Sequence, residues 1–144
     1  MRFRGNIFEI IGDHRNDGKV INDKVIKLDN LATPEAKNII KEMSLGHEVF
    51  ETLVSGDILI ERIISTGQTT PEGEWYDQKK DEWVILLQGE AKLLFEEGSD
   101  VKMVKGDYLF IKAHEKHRVI HTSVDPPCIW LAVHANLGTK PTII

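Results

Sequence analysis

The sequence predicts an all-β domain. Short segments rich in β-branched and aromatic residues recur from Glu48 onward: DILIERIIS, EWVILLQ, EAKLLFEE, VKMV, DYLFIKA, HRVIHT and CIWLAVH. Turn signals (EGSD, KGD, HEK, SVDPP) separate the later ones at regular spacing, as in a sandwich or barrel. Several segments are apolar at successive positions, which fits strands with one face lining a barrel interior and the other face covered.

The elements follow in chain order. Ile7 to Ile11 and Lys19 to Leu28 read as short strands around the polar turn HRNDGK. Thr33 is placed to cap a helix, Pro34 suits its first position and Glu35 favours its N-terminal dipole. AKNIIKEM carries that helix to about Ser44, and Gly46 stops it. EWVILLQ and EAKLLFEE flank Gly89 and read as a hairpin-like pair. The division that results is an N-terminal extension over residues 1–45, with one short helix, and a barrel over residues 46–144.

A chain of 144 residues suits one domain with one core. The net charge of −5, without a Lys/Arg-rich run, gives a nucleic-acid role no electrostatic support. No apolar run approaches the roughly 20 residues of a membrane span. The start, MRFRGNIFEIIGDH, lacks the long apolar stretch of a signal peptide. The single cysteine, Cys128, cannot form an internal disulfide and sits in the apolar run CIWLAV as a small buried hydrophobe. A cytoplasmic protein is expected.

The stretch GEWYDQKKDEWVILLQGEA, from Gly73 to Ala91, concentrates carboxylates, aromatics and a glutamine just before an apolar strand. Within it Glu82 is followed by WVILLQ and Gly89. Further on, Gly106 is followed by DYLFI, then Lys112, Ala113, His114, two residues and His117. This order and spacing resemble the two motifs of the cupin superfamily. The chain looks closest to small bacterial single-domain cupins with the signature WYDQ, EWV, GEA, HRV and WLAVH, over roughly residues 48–135. The resemblance implies a double-stranded β-helix, the cupin or jelly-roll barrel. It also implies a homodimer, since such barrels need cover for their open edges.

The departures from the pattern bear on chemistry. Lys112 and His114 replace the Pro and the second Gly of the second motif. The His-x-His of the first motif falls on Tyr76 and Gln78, or on Trp75 and Asp77 with one more intervening residue. Residues two apart on a strand share a face about 6–7 Å apart, so Tyr76 and Gln78 can face one point. Glu82 joins them after the Lys79-Lys80-Asp81 turn, and His117 approaches from the opposite side. Gln78, Glu82 and His117 are the candidate metal ligands, a mixed O/N set suited to Mn²⁺, Fe²⁺, Zn²⁺ or Mg²⁺. Tyr76, Glu82 and His117 are the candidate catalytic groups. The metal-free alternative has Glu82 hydrogen-bonded to Tyr76 or His117.

Asp77, His114 and His121 are further pocket candidates. His121 shares the strand face of His117 about 13 Å away, too far for one ion, and could line the mouth. His114 replaces a turn glycine and is a pocket-edge group or a turn residue. His134 shares a face with Cys128, Trp130 and Ala132 and reads as structural. Arg62 pairs with a carboxylate or holds an anionic ligand. Trp75, Trp83 and Trp130 read as packing residues.

The function expected is a small-molecule-binding barrel, with a divalent metal and with isomerase, decarboxylase or oxygenase chemistry on a small polar metabolite. The alternatives are a metal-free binding or sensor module acting as a homodimer, and a metal-free isomerase using His117 and Tyr76.

Overall fold

The computed structural model describes residues 7–8 and 34–138. The expected cap Thr33 and most of the two N-terminal strands lie outside them; Ile7 and Phe8 stand in a turn. The helix α1 (Pro34–Ser44) begins at the proline, as expected. It ends in a left-handed turn at Gly46, φ 76°, where the backbone amides of Leu45 and Gly46 bond back to the last carbonyls of the helix.

Eight strands follow among the described residues: β1 (Val49–Val54), β2 (Leu59–Ser65), β3 (Asp81–Gln88), β4 (Glu90–Phe95), β5 (Asp100–Val104), β6 (Tyr108–Ile111), β7 (His117–Thr122) and β8 (Cys128–Ala135). They form a five-stranded sheet in the order β1-β2-β8-β3-β6 and a three-stranded sheet in the order β5-β4-β7. All pairings are antiparallel. This is a double-stranded β-helix.

Alternation builds the core. Val84 and Leu86 of β3, Ala91, Leu93 and Phe95 of β4, and Cys128, Trp130 and Ala132 of β8 are buried in one cluster between the sheets. The other face of the larger sheet carries a second, smaller cluster, in which Ile39 and Met43 of α1 cover Val49 and Ile64. Cys128 is free and buried, as its apolar run predicts.

One expected pairing is overturned. β3 and β4 do not form a hairpin: β3 pairs with β6 and β8, and β4 with β5 and β7. Gly89 is the point at which the chain leaves one sheet for the other. Its φ of 89° is a conformation that L side chains rarely adopt. A methyl there would lie 2.7 Å from Ser123 Oγ and 2.9 Å from both Cα and Sγ of Cys128.

Candidate functional site

The pocket opens at one end of the space between the sheets. Its polar lining comes from the residue before β1 (Glu48), from β2 (Glu61), from the strand-like segment before β3 (Tyr76, Gln78), and from β3 (Glu82), β7 (His117) and β8 (His134). Apolar side chains, among them Phe50, Ile63, Leu93 and Trp130, form its walls. The cavity volume of this partly open pocket is about 60 Å³.

Glu82 occupies an inward position of β3, in phase with Val84 and Leu86, so a carboxylate stands where the strand otherwise places core residues. It is 7 % exposed. Its Oε2 has no hydrogen-bond partner among the described residues. It faces His117 Nε2 at 3.9 Å, beyond hydrogen-bond reach. Burial is the main reason its pKa is raised; His134, His117 and a hydrogen bond from Gln78 act against that rise.

His117 is held on its other side. Its Nδ1 lies 3.0 Å from the carbonyl oxygen of Glu115, which can only accept. In the neutral ring the proton therefore sits on Nδ1, and the lone pair of Nε2 faces the pocket. Tyr76 is bridged to His117 through the backbone in both directions (2.7 and 3.2 Å), and the two rings stack at 5.5 Å. Burial raises the pKa of Tyr76, and the carboxylates of Glu48, Glu82, Glu61 and Glu74 raise it further, so the phenol stays protonated.

Three lining residues, His134, Glu61 and Glu48, were not legible as site residues. His134 Nε2 donates to Glu61 Oε1 at 2.9 Å, a pairing across the β2–β8 ladder. His134 reads as structural in the sequence, yet the structure places it in the pocket. The signal was its phase with Cys128, Trp130 and Ala132; Glu61 likewise alternates with Ile63. Glu48 also lines the pocket, accepts a hydrogen bond from Ser65 Oγ at 2.9 Å, and has its pKa raised by burial.

The remaining candidates lie elsewhere. Asp77 and His114 pair with each other at 2.8 Å on the exposed surface. His114 adopts φ 63° at the position of the replaced glycine, and its amide bonds the Gln78 carbonyl. His121 does not share the inward face of His117. Leu93 pairs with Val119 and Lys92 with His121, so Ile120 is the extra residue of a β-bulge. The bulge reverses the alternation, sending His121 outward and burying Thr122. Arg62 points away from the pocket and bonds Glu51 Oε2 through Nε at 2.7 Å. Trp75 stacks under the Arg118 guanidinium, Trp83 packs near Tyr108, and Trp130 is buried with its indole on Ser65 Oγ.

Asp81, beside Glu82, secures the rim. Its carboxylate accepts from the amides of Ala113 (2.8 Å), Leu137 (3.0 Å) and Gly138 (3.4 Å). These bonds lower its pKa, so their stabilisation is present above the unfolded value of 3.8 and is lost as pH falls through the lower folded value. Asp81→Asn is expected to lower the midpoint of thermal unfolding at pH 7, with the gap from wild type narrowing as pH falls below 3.8, as followed by circular dichroism.

The Glu61–His134 bond acts in the opposite direction. It raises the His134 pKa above the ordinary 6.5. Its contribution is full below pH 6.5 and is lost as pH rises through the folded value. Thermal stability is therefore expected to decline above pH 6.5, and Glu61→Gln should flatten that decline; an unchanged slope would reject the pairing.

A double-stranded β-helix with a pocket of ionisable groups and apolar walls between its two sheets defines a small-molecule-binding class of barrel. The chain belongs to the cupin superfamily: the family model for the cupin domain matches residues 63–134. Among solved structures it is similar to a "putative mannose-6-phosphate isomerase" from Ralstonia eutropha JMP134, 43 % identical, covering 62 % of this chain and 84 % of that one, TM-score 0.60. It is also similar to a cupin superfamily protein from Desulfitobacterium hafniense DCB-2 (20 % identical, 62 % and 77 % covered, TM-score 0.54). A third is an RmlC-like cupin with a double-stranded β-helix fold from Methanocaldococcus jannaschii (19 % identical, 63 % and 82 % covered, TM-score 0.53). At 20 % and 19 % identity the last two speak for the fold alone. No curated protein matches the chain. No helix among the described residues is long and apolar enough to cross a membrane.

Proposed function

We propose that this cupin binds a small polar metabolite between its sheets and moves a proton on it, with Glu82 and His117 as the exchanging groups and Tyr76 as a donor. The observation that carries this reading is the unpartnered Glu82 Oε2 opposite the Nε2 lone pair of His117. A buried carboxylate oxygen without a hydrogen-bond partner is costly, and a carboxyl whose pKa is raised by burial is suited to taking and returning a proton. Isomerisation through proton transfer fits this set better than oxygen activation, which draws on more imidazoles.

A divalent ion fits the same place through few donors. Among the described residues no three His, Cys, Asp or Glu side chains gather closely enough to hold one. Glu82 Oε2 and His117 Nε2 are close enough to share an ion, and Gln78 adds an amide oxygen. These three would hold Mn²⁺, Fe²⁺, Zn²⁺ or Mg²⁺ more weakly than a three-histidine set. When bound, the ion supplies Lewis acidity toward a substrate oxygen.

The test is a thermal-shift screen of small sugars, keto acids and amino metabolites against the purified full chain, with elemental analysis alongside. A ligand at about 100 times its Kd adds about 2.7 kcal/mol of stability. We expect at least one such shift, abolished in Glu82→Gln and His117→Ala while both variants stay folded. Shifts that persist in both variants would place the ligand elsewhere. Metal that is near-stoichiometric in the wild type and lost in both variants would support the ion; none after incubation with Mn²⁺, Fe²⁺ and Zn²⁺ would remove it. We place the expected homodimer contact on β1, an edge strand with Phe50, Leu53 and Val54 exposed. Leu53→Asp should then give a monomer by light scattering.

A further inference from the structure

The charge of the pocket restricts what its ligand can be. Three carboxylates line it, Glu48, Glu61 and Glu82, and no Lys or Arg among the described residues does. The imidazoles of His117 and His134 are its ionisable cations. Arg62, next to Glu61, lies on the opposite face of β2, where it is bound to Glu51. Arg118, next to His117, lies over Trp75 and donates to the Thr70 carbonyl. Lys80, whose charge acts on His134, does not line the pocket and donates to the Asp57 carbonyl. A phosphate entering here would meet carboxylates with no guanidinium or ammonium to receive it, against the usual pattern of phosphate recognition.

The pocket instead has what a small organic cation requires. Glu82 Oε2 is buried, unpartnered and aimed into it. Tyr76, Phe50 and Trp130 supply aromatic surface around it, which attracts a cation through the ring quadrupole.

We infer that the pocket selects the ammonium head of a small amine, with Glu82 Oε2 as its counter-ion, and discriminates against phosphorylated sugars. This rests on the reading that the pocket is the ligand site. It also means that isomerisation of mannose 6-phosphate, the activity for which the Ralstonia protein is named, does not carry over to this chain.

Ethanolamine and ethylene glycol test the inference, since they are nearly the same size and differ by an ammonium for a hydroxyl. Full-length protein dialysed against chelator, then into phosphate-free buffer, would be titrated with each, and separately with mannose 6-phosphate and with inorganic phosphate. The readout is the ¹H–¹⁵N spectrum, following the Trp130 indole and Tyr76 amide signals. Ethanolamine is expected to move both saturably, with a Kd at least tenfold below that of ethylene glycol. Glu82→Gln should raise that Kd at least tenfold, and Glu48→Gln several-fold, which covers the case in which the first variant does not fold. Neither phosphate compound should move the signals at the same concentrations. Equal affinity for ethanolamine and ethylene glycol would overturn the inference, as would no response to ethanolamine. Mannose 6-phosphate moving the same signals would overturn it while upholding the pocket. If ethanolamine has no effect, the pocket reading itself is judged by the metabolite screen.

Discussion

Gly89→Ala is expected to destabilise the fold by about 2–5 kcal/mol. A left-handed backbone costs a non-glycine residue roughly 1–2 kcal/mol. Overpacking a tight site adds roughly 1–3 kcal/mol. The new methyl would meet backbone as well as side chain, since Cys128 Cα lies 2.9 Å away, so rotating a side chain cannot relieve the clash. Cys128 Sγ also bonds the Glu90 carbonyl at 3.1 Å, and Ser123 Oγ accepts from the Glu90 amide at 2.9 Å. A shift there would therefore disturb the first residue of β4. Against the typical 5–15 kcal/mol stability of a domain this is a large loss. Urea unfolding of both proteins measures it. A change within about 1 kcal/mol would mean that the chain does not cross between sheets as tightly as described.

Arg62→Met is expected to cost about 3–5 kcal/mol, the usual result of removing one partner from a buried ion pair. The Arg62 side chain is 2 % exposed and that of Glu51 17 %. Nε bonds Glu51, and Nη1 bonds the Ile7 carbonyl at 3.1 Å, so the guanidinium also ties residue 7 to the larger sheet. Loss of Arg62 leaves the Glu51 carboxylate without its counter-ion. Pairing Arg62→Met with Glu51→Leu removes both charges and should recover much of the loss. A double variant no more stable than Arg62→Met alone would show that the cost lies in packing and in the Ile7 bond.

These two positions bear on the site. Gly89 carries the chain from β3, which holds Glu82, into the sheet that holds His117. Without that crossing the two groups would not face each other. Arg62 and Glu61 are adjacent, and the two-residue period of β2 sends them to opposite faces. The cation stabilises the outside of the sheet while the carboxylate enters the pocket, and this separation sets the charge of the ligand that the pocket can accept.

Much of this protein is written locally. The Pro34 start and Gly46 stop of the helix, the strand segments from Glu48 onward, and the spacing from Glu82 to Gly89 and from Gly106 to His117 depend on neighbours in the chain. Backbone preference and side-chain period act over a few residues, so the all-β class and the cupin resemblance are present in the sequence by itself. So is the burial of Cys128, because its neighbours are apolar. What only the tertiary structure decided depends on which strands meet and in what register. Gly89 looks like a hairpin turn, but β3 and β4 find other partners in separate sheets. His121 looks inward by counting from His117, but one extra residue at Ile120 reverses the face. Glu61 and His134 are 73 apart in sequence and become a pair only when β2 lies against β8. Pairing and bulges are set by the whole sheet closing over a common core, and no window of sequence contains that information.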